Sequence, residues 1–168
     1  MNHLEAIRNK IVTAAAASTI ITNWRKNDCK VVFTNGCFDL LHLGHIEYLS
    51  KAAAHGDYLV VGLNTDASVN RLKGKTRPVN DERSRSMVLA SLSFVSLIVL
   101  FSEDTPYELI KILQPDILIK GADYQAEQIV GYDIVTGRGG SVLTLDFVKG
   151  YSTSAIEKKI LDAHLSQM

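Results

Sequence analysis

At 168 residues the chain is long enough for one domain with a substantial core and short for two. Hydrophobic residues make up 46% and charged residues 21%, which excludes a disordered chain, and a formal net charge of +0 excludes a global field that would gather nucleic acid or an acidic membrane. No apolar run reaches membrane-spanning length, NHLEAIRNK at the start lacks a signal peptide's apolar stretch, and Cys29 and Cys37 have neither metal-ligand spacing nor scaffold density; a cytoplasmic protein with reduced thiols, no membrane and no nucleic-acid partner is expected.

The alanine-rich start, up to about Asn27, predicts helix, with KIV at Lys10 as a short edge strand. From Lys30 onward, strands alternate with helices. The strand candidates are KVVFT at Lys30, YLVVGL at Tyr58, LIVLF at Leu97, DILIK at Asp116 and SVLTL at Ser141. Nearly all are apolar on both faces, as strands of a parallel sheet covered on each side should be. Helical periodicity runs over His45 to His55, Asp81 to Ser93, Asp104 to Leu113 and Ser154 to His164. The alternation predicts a single-domain α/β fold, a Rossmann-like doubly wound parallel sheet that binds ligands at the carboxyl ends of its strands. Asn64 to Asn80 reads as one long polar and basic connection, of a length that compact domains usually reserve for function. There is no internal repeat, and no low-complexity segment beyond the Ala14 to Ala17 run.

The carboxyl end of the first of these strands runs into TNGCFDLLHLGH, Thr34 to His45. His42 and His45 sit at i and i+3, so on a helix start they share one face. Three explanations stand at this point. The rings could cap or pack at the core edge, the commonest fate of an HxxH pair. With Asp39 they could hold a metal, although a strand-to-helix bend would turn that carboxylate away. Or they could join free helix N–H groups in gripping phosphate, with Gly44 allowing close backbone approach. Cys37 beside them reads as an inert buried thiol rather than a nucleophile.

Other cations and hydroxyls could join such a site. Arg71, Lys73, Lys75 and Arg77 on the long connection, with Arg85 on the next helix, could swing over a polyphosphate; alone, such a cluster is usually a solvated face. Ser152, Thr153 and Ser154 stand at the mouth of the last helix, where Ser154 and Glu157 have the spacing of a capping box. No GxxxxGK[ST] occurs, and no GxGxxG follows the first strand.

Taken together, the blocks TNGCFDLLHLGH, LNTDAS, RLKGKTRPVN, KGADY and GYSTS resemble the nucleotidyltransferase superfamily marked by HxGH. More narrowly they are similar to its D-glycero-D-manno-heptose 1-phosphate adenylyltransferase (ADP-heptose synthase) branch, in free-standing form, over nearly everything from Lys30 to Ile160. The resemblance divides the chain into an N-terminal helical extension, residues 1–29, and a nucleotidyltransferase domain, residues 30–168. It implies transfer of AMP from ATP, with Mg²⁺, to a sugar 1-phosphate for lipopolysaccharide core biosynthesis. His42, His45, Lys73 and Arg85 take the catalytic positions. Thr34, Asn35, Gly36, Cys37, Phe38, Gly44, Ser152, Thr153 and Ser154 take the nucleotide side. Asp39, Asn64, Asp66, Lys120 and Asp123 fall on the acceptor side, and no residue is assigned to a metal. Superfamily members often pair, and the N-terminal helix offers an apolar face for a homodimer. Two departures stand out: Phe147 replaces the arginine of the cytidylyl branch, and Cys37 stands where glycerol phosphate cytidylyltransferases have threonine. The alternatives are a glycerol 3-phosphate cytidylyltransferase, an FAD synthetase-like transferase, and a non-catalytic nucleotide-binding module.

Overall fold

A computed structural model describes residues 2–121, 125–146, 148 and 150–166. In chain order the elements are α1 (His3–Arg8), β1 (Ile11–Val12), α2 (Ala14–Arg25), β2 (Val31–Gly36), α3 (Leu43–Ala53), β3 (Tyr58–Asn64), α4 (Asp66–Lys73), α5 (Glu82–Ala90), β4 (Leu97–Phe101), α6 (Tyr107–Leu113), β5 (Ile117–Gly121), α7 (Tyr132–Thr136), β6 (Ser141–Leu145) and α8 (Thr153–Leu165). The six strands form one parallel sheet in the order β1-β4-β3-β2-β5-β6. All five strands expected from Lys30 onward are present.

Alternation along each strand splits the apolar side chains between two cores. Val31 and Phe33 of β2, Val60 of β3 and Val99 of β4 pack beneath α2 and α6 with Ala17, Ile21, Ile110 and Leu113. Val32, Leu59, Val61 and Ile98 face the other way, against Leu49 and Ala52 of α3 and Leu89 of α5. A fully buried Val, Leu, Ile or Phe contributes about 1.5–3 kcal/mol, against about 0–1 kcal/mol for an exposed ion pair. The sheet's two faces therefore fix the scaffold.

The first 29 residues take part in that scaffold. Ile11 and Val12 pair with Ile98 and Val99 at the sheet edge, and Ala17 and Ile21 of α2 are fully buried. The apolar face of α2 that could have paired two copies is thus covered within the chain. No helix among the described residues is long and apolar enough to cross a membrane.

Asn64 to Asn80 departs from the expected long connection. Half of it is α4, capped by the Thr65 hydroxyl accepting from the Ser68 amide and closed by Gly74 at φ 99°. Its sequence, DASVNRLK, is dominated by polar and charged residues and buries only Ser68 and Val69, so its composition reads as a connection despite a helical pattern eight residues long. Asp123 and Phe147 lie outside the described residues.

The strand order turns about β2: β3 and β4 are added on one side, β5 and β6 on the other. Beside this switch point the ladders are unequal. β2 pairs with β3 over six registered residues but with β5 over two, Val32 with Ile117 and Phe33 with Leu118. The carboxyl ends of β2 and β5 are not laddered to each other, which is where a doubly wound sheet opens its crevice. Lys120 spans the gap, donating from Nζ to the Asn35 carbonyl at 3.3 Å and to Asn35 Oδ1 at 2.9 Å.

Candidate active site

Behind the crevice, the Tyr48 hydroxyl donates to the Ile119 carbonyl at 3.1 Å, so its 2.8 Å contact with Thr34 takes the Thr34 proton. This buried chain ties α3 to β2 and β5, and burial pushes the Tyr48 phenol up to about 12. Thr34 is fully buried and engaged there; it supports the cleft floor rather than lining it, contrary to expectation. Tyr48 does line the cleft and was missed. Its spacing from His45, three residues on the same helix face, was the available signal.

From Asn35 the chain makes a tight turn into α3. Phe38 adopts φ 45°, a left-handed conformation that a bulky residue rarely takes. Its ring lies over Gly36, where an added Cβ would stand 3.0 Å from Cε2. The ring also meets His45 edge-on, at a centroid distance of 5.3 Å. Cys37 is partly buried, its thiol 3.9 Å from Asn64 Oδ1 and pushed up by burial, so it lacks thiolate character.

His42 is the N-cap residue of α3, yet its side chain makes no capping hydrogen bond, whereas Asn2, Thr13, Thr65, Asp81 and Ser152 each cap their helices. The imidazole instead stacks on His45 at 3.8 Å with an interplanar angle of 23°. Gly44 permits the fold-back: a Cβ there would meet His42 Nδ1 at 3.1 Å and Tyr151 Cβ at 3.3 Å. His42 Nδ1 is buried with no hydrogen-bond partner among the described residues. Burial lowers the pKa of His42. Burial, joined by His42 and Lys73 and opposed by the backbone of Leu40, pushes His45 down to about 4.

Both rings are therefore neutral near pH 7. Because His45 returns to about 6.5 on unfolding, the unfolded state holds the extra proton between pH 6.5 and 4, and stability falls as the pH drops through that window. The Tm of His45→Gln is expected to fall less steeply than the parent's between pH 6.5 and 4. Parallel slopes in thermal melts would contradict the burial of this ring.

The first turns of α3 and α8 meet across one cleft of about 370 Å³, lined by His42, Gly44 and His45 on one side and Ser152, Thr153 and Ser154 on the other. Ser152 is the N-cap, accepting from the Ala155 amide at 3.1 Å; it takes the role expected of Ser154. Two positive helix ends thus converge on one anion-sized space. An adjoining cleft of about 250 Å³ holds Asn35, Gly36, Cys37, Phe38 and Asp39 with Lys120. A third, of about 390 Å³, reaches past Asn64 and Lys120 to Thr105 and Gln128. Lys73, at the end of α4, borders all three, and no ion pair holds it among the described residues.

The other expected cations are differently placed. Arg71 pairs with Asp104 at 2.9 Å on the surface. Arg77 Nη1 donates to Asp39 Oδ2 at 3.1 Å, and its Nη2 pairs with Glu157 of α8. Glu157 is thus an ion-pair partner and not part of a capping box. Arg85, expected to act on phosphate, is 2% exposed and donates to the carbonyls of Asn80 and Cys37 and to Asp66 Oδ1, at 3.0, 2.6 and 2.7 Å. It is a clamp on the turn, and Asp66, expected toward the acceptor, is its counter-ion.

Asp39 is engaged likewise. Besides Arg77, its carboxylate accepts from the Val79 and Asn80 amides at 2.8 and 3.0 Å, so it pins the 77–80 segment although it borders the cleft. Asn64 donates to the Ser68 hydroxyl at 2.9 Å and keeps its carbonyl oxygen toward Cys37. No group of three or more His, Cys, Asp or Glu side chains among the described residues could hold a metal ion.

A cytidylyltransferase-like family model matches residues 33–159, the span that contains these clefts. The chain is 57% identical over 145 residues to the bifunctional protein HldE of Caulobacter vibrioides, covering 86% of this chain and 30% of that one. It is 48% identical over 159 residues to the protein of the same name from Wolinella succinogenes, covering 95% and 33%. The chain spans about a third of the length of these curated relatives. Among solved structures, a lipopolysaccharide core biosynthesis protein from Thermoplasma volcanium is similar with 28% identity and a TM-score of 0.58, over 74% of this chain and 99% of that one. A pantoate-beta-alanine ligase from Francisella tularensis, 19% identical with a TM-score of 0.61 over 88% of this chain and 75% of its own, shares the fold.

Proposed function

The chain belongs to the cytidylyltransferase-like nucleotidyltransferases, and from that premise we propose that it transfers AMP from ATP to D-glycero-D-manno-heptose 1-phosphate, giving ADP-heptose and pyrophosphate for lipopolysaccharide core biosynthesis in the cytoplasm. The observation that carries this reading is Lys73, a cation that three contiguous clefts share and that no ion pair holds among the described residues. A triphosphate lying across the starts of α3 and α8 and an acceptor phosphate beside Lys120 would both reach it.

In this reaction an acceptor phosphate oxygen attacks the α-phosphorus while the bond to pyrophosphate breaks. Phosphoryl chemistry of this kind needs alignment and charge neutralisation more than covalent help. The attacking phosphate is already ionised at pH 7, so no general base is required. His42 and His45, neutral in their stacked pair, serve as N–H donors to oxygens whose charge grows in the transition state, with the free amides of the two helix starts beside them. With no protein cage of His, Cys, Asp and Glu among the described residues, a divalent cation would enter on ATP, and Mg²⁺ suits phosphate oxygens and water.

On the acceptor side, Lys120 and Asn64 would meet the phosphate, and Thr105 and Gln128, which line the same cleft, could meet sugar hydroxyls. The test is pyrophosphate release from ATP or CTP against heptose 1-phosphate, glycerol 3-phosphate and FMN. Turnover is expected with ATP and heptose 1-phosphate. Release with another pairing would reassign the substrates, and ATP binding without release for any acceptor would overturn the enzymatic reading.

A further inference from the structure

α8 brings three hydroxyls and a helix start to the nucleotide cleft, yet buries none of its residues. Ile160 and Leu161 are each 61% exposed and Leu165 67%. Core burial, which fixes α2, α3 and α6, therefore does little to fix α8. Arg77 does reach it. One end of its guanidinium meets Glu157, just past the first turn of α8, and the other meets Asp39, just ahead of α3. Asp39 is itself immobilised by the Val79 and Asn80 amides, so the far end of the bridge is anchored. The pair is more sheltered than an ordinary surface pair, with side-chain exposures of 22% for Arg77, 27% for Glu157 and 3% for Asp39. A planar, forked cation can hold two carboxylates in fixed relation; an ammonium cannot.

We propose that Arg77 is a positioning residue for nucleotide binding: by holding Asp39 and Glu157 together, it sets the gap between the starts of α3 and α8 and so assembles the triphosphate cleft from its two halves. Arg77 itself borders neither the His42 cleft nor the Lys120 cleft, so its effect passes through the helices it joins. The proposal rests on the adenylyl-transfer reading for its kinetic consequence but not for its structural one.

Glu157→Gln separates the two. It removes the charge at the α8 end, leaves Asp39, the cores and the Ser152 cap untouched, and is expected to fold with the parent's Tm. The KM for ATP should rise roughly tenfold while kcat changes much less, because a misplaced half-site weakens capture of the triphosphate more than the chemistry that follows. Arg77→Lys should fall between parent and Glu157→Gln, and Arg77→Met combined with Glu157→Gln should be no worse than Arg77→Met alone. Hydrogen–deuterium exchange on the ligand-free protein is expected to quicken in residues 155–165 of Glu157→Gln and nowhere else. An unchanged KM in an active enzyme, or multiplicative effects in the double variant, would overturn the proposal. If the parent transfers no adenylyl group, the functional reading fails, and exchange alone then decides: unaltered exchange in α8 would overturn the clasp as well.

Discussion

His42→Ala is expected to lower kcat for adenylyl transfer by roughly a hundredfold or more, the usual cost of losing a donor to transition-state charge, with Tm close to the parent's. The two halves of that expectation have separate grounds. The side chain caps nothing, and the helix-starting bonds to this residue come from its carbonyl, which accepts from the amides of His45 and Ile46 at 2.9 and 3.2 Å. Alanine preserves both. What alanine removes is an imidazole stacked at 3.8 Å on His45, with a buried nitrogen that finds no partner among the described residues. A buried polar atom left unsatisfied costs about 1–3 kcal/mol, so its persistence argues for use by a ligand. Pyrophosphate release near the parent rate, alongside an unchanged melt, would return the pair to a packing role.

Lys73→Ala is expected to raise the KM for ATP and lower kcat together, with a combined loss in kcat/KM of roughly a hundredfold, since one cation serves both phosphates in the reading above. Arg71→Ala is the matched control. Arg71 lies two residues away on the same helix, but its pair with Asp104 is half-exposed on one side and more so on the other, at 50% and 67%, a setting worth about 0–1 kcal/mol of stability. The control should leave kinetics nearly intact. Equal and small effects in both variants would make Lys73 a solvated charge and remove the observation on which the functional reading leans most.

The contrast between these neighbours shows where sequence legibility ends. The strands could be read because burial on both faces leaves continuous runs such as LIVLF, and a parallel sheet of the five strands from β2 onward follows from such runs alternating with helices. The HLGH turn was legible because strand, glycine and histidine spacing together place it at a helix start. Charges were harder. Arg71, Lys73, Arg77 and Arg85 are chemically similar in the sequence, yet three are paired in the fold and one faces the clefts. Their partners, Asp104, Asp39, Glu157 and Asp66, lie 19 to 80 residues away or on other elements, and no local pattern carries that information. α4 is hidden by composition: a short helix that buries only Val69 and Ser68 among polar and charged residues reads as a solvated connection.

The strand order also has a bearing on how the chain reaches this state. Ile11 and Val12 find their partners only at Ile98 and Val99, and Val32 and Phe33 find theirs at Ile117 and Leu118, so the sheet closes through contacts spanning more than eighty residues. Topologies of such high contact order fold slowly, since chain closure precedes its reward. On the ribosome β2 and β3 can pair early, while β1 must wait for some ninety residues of later synthesis. The nascent sheet therefore stays open on one edge until β4 has emerged and on the other until β6 has, the interval in which chaperone capture or edge-to-edge aggregation competes with completion.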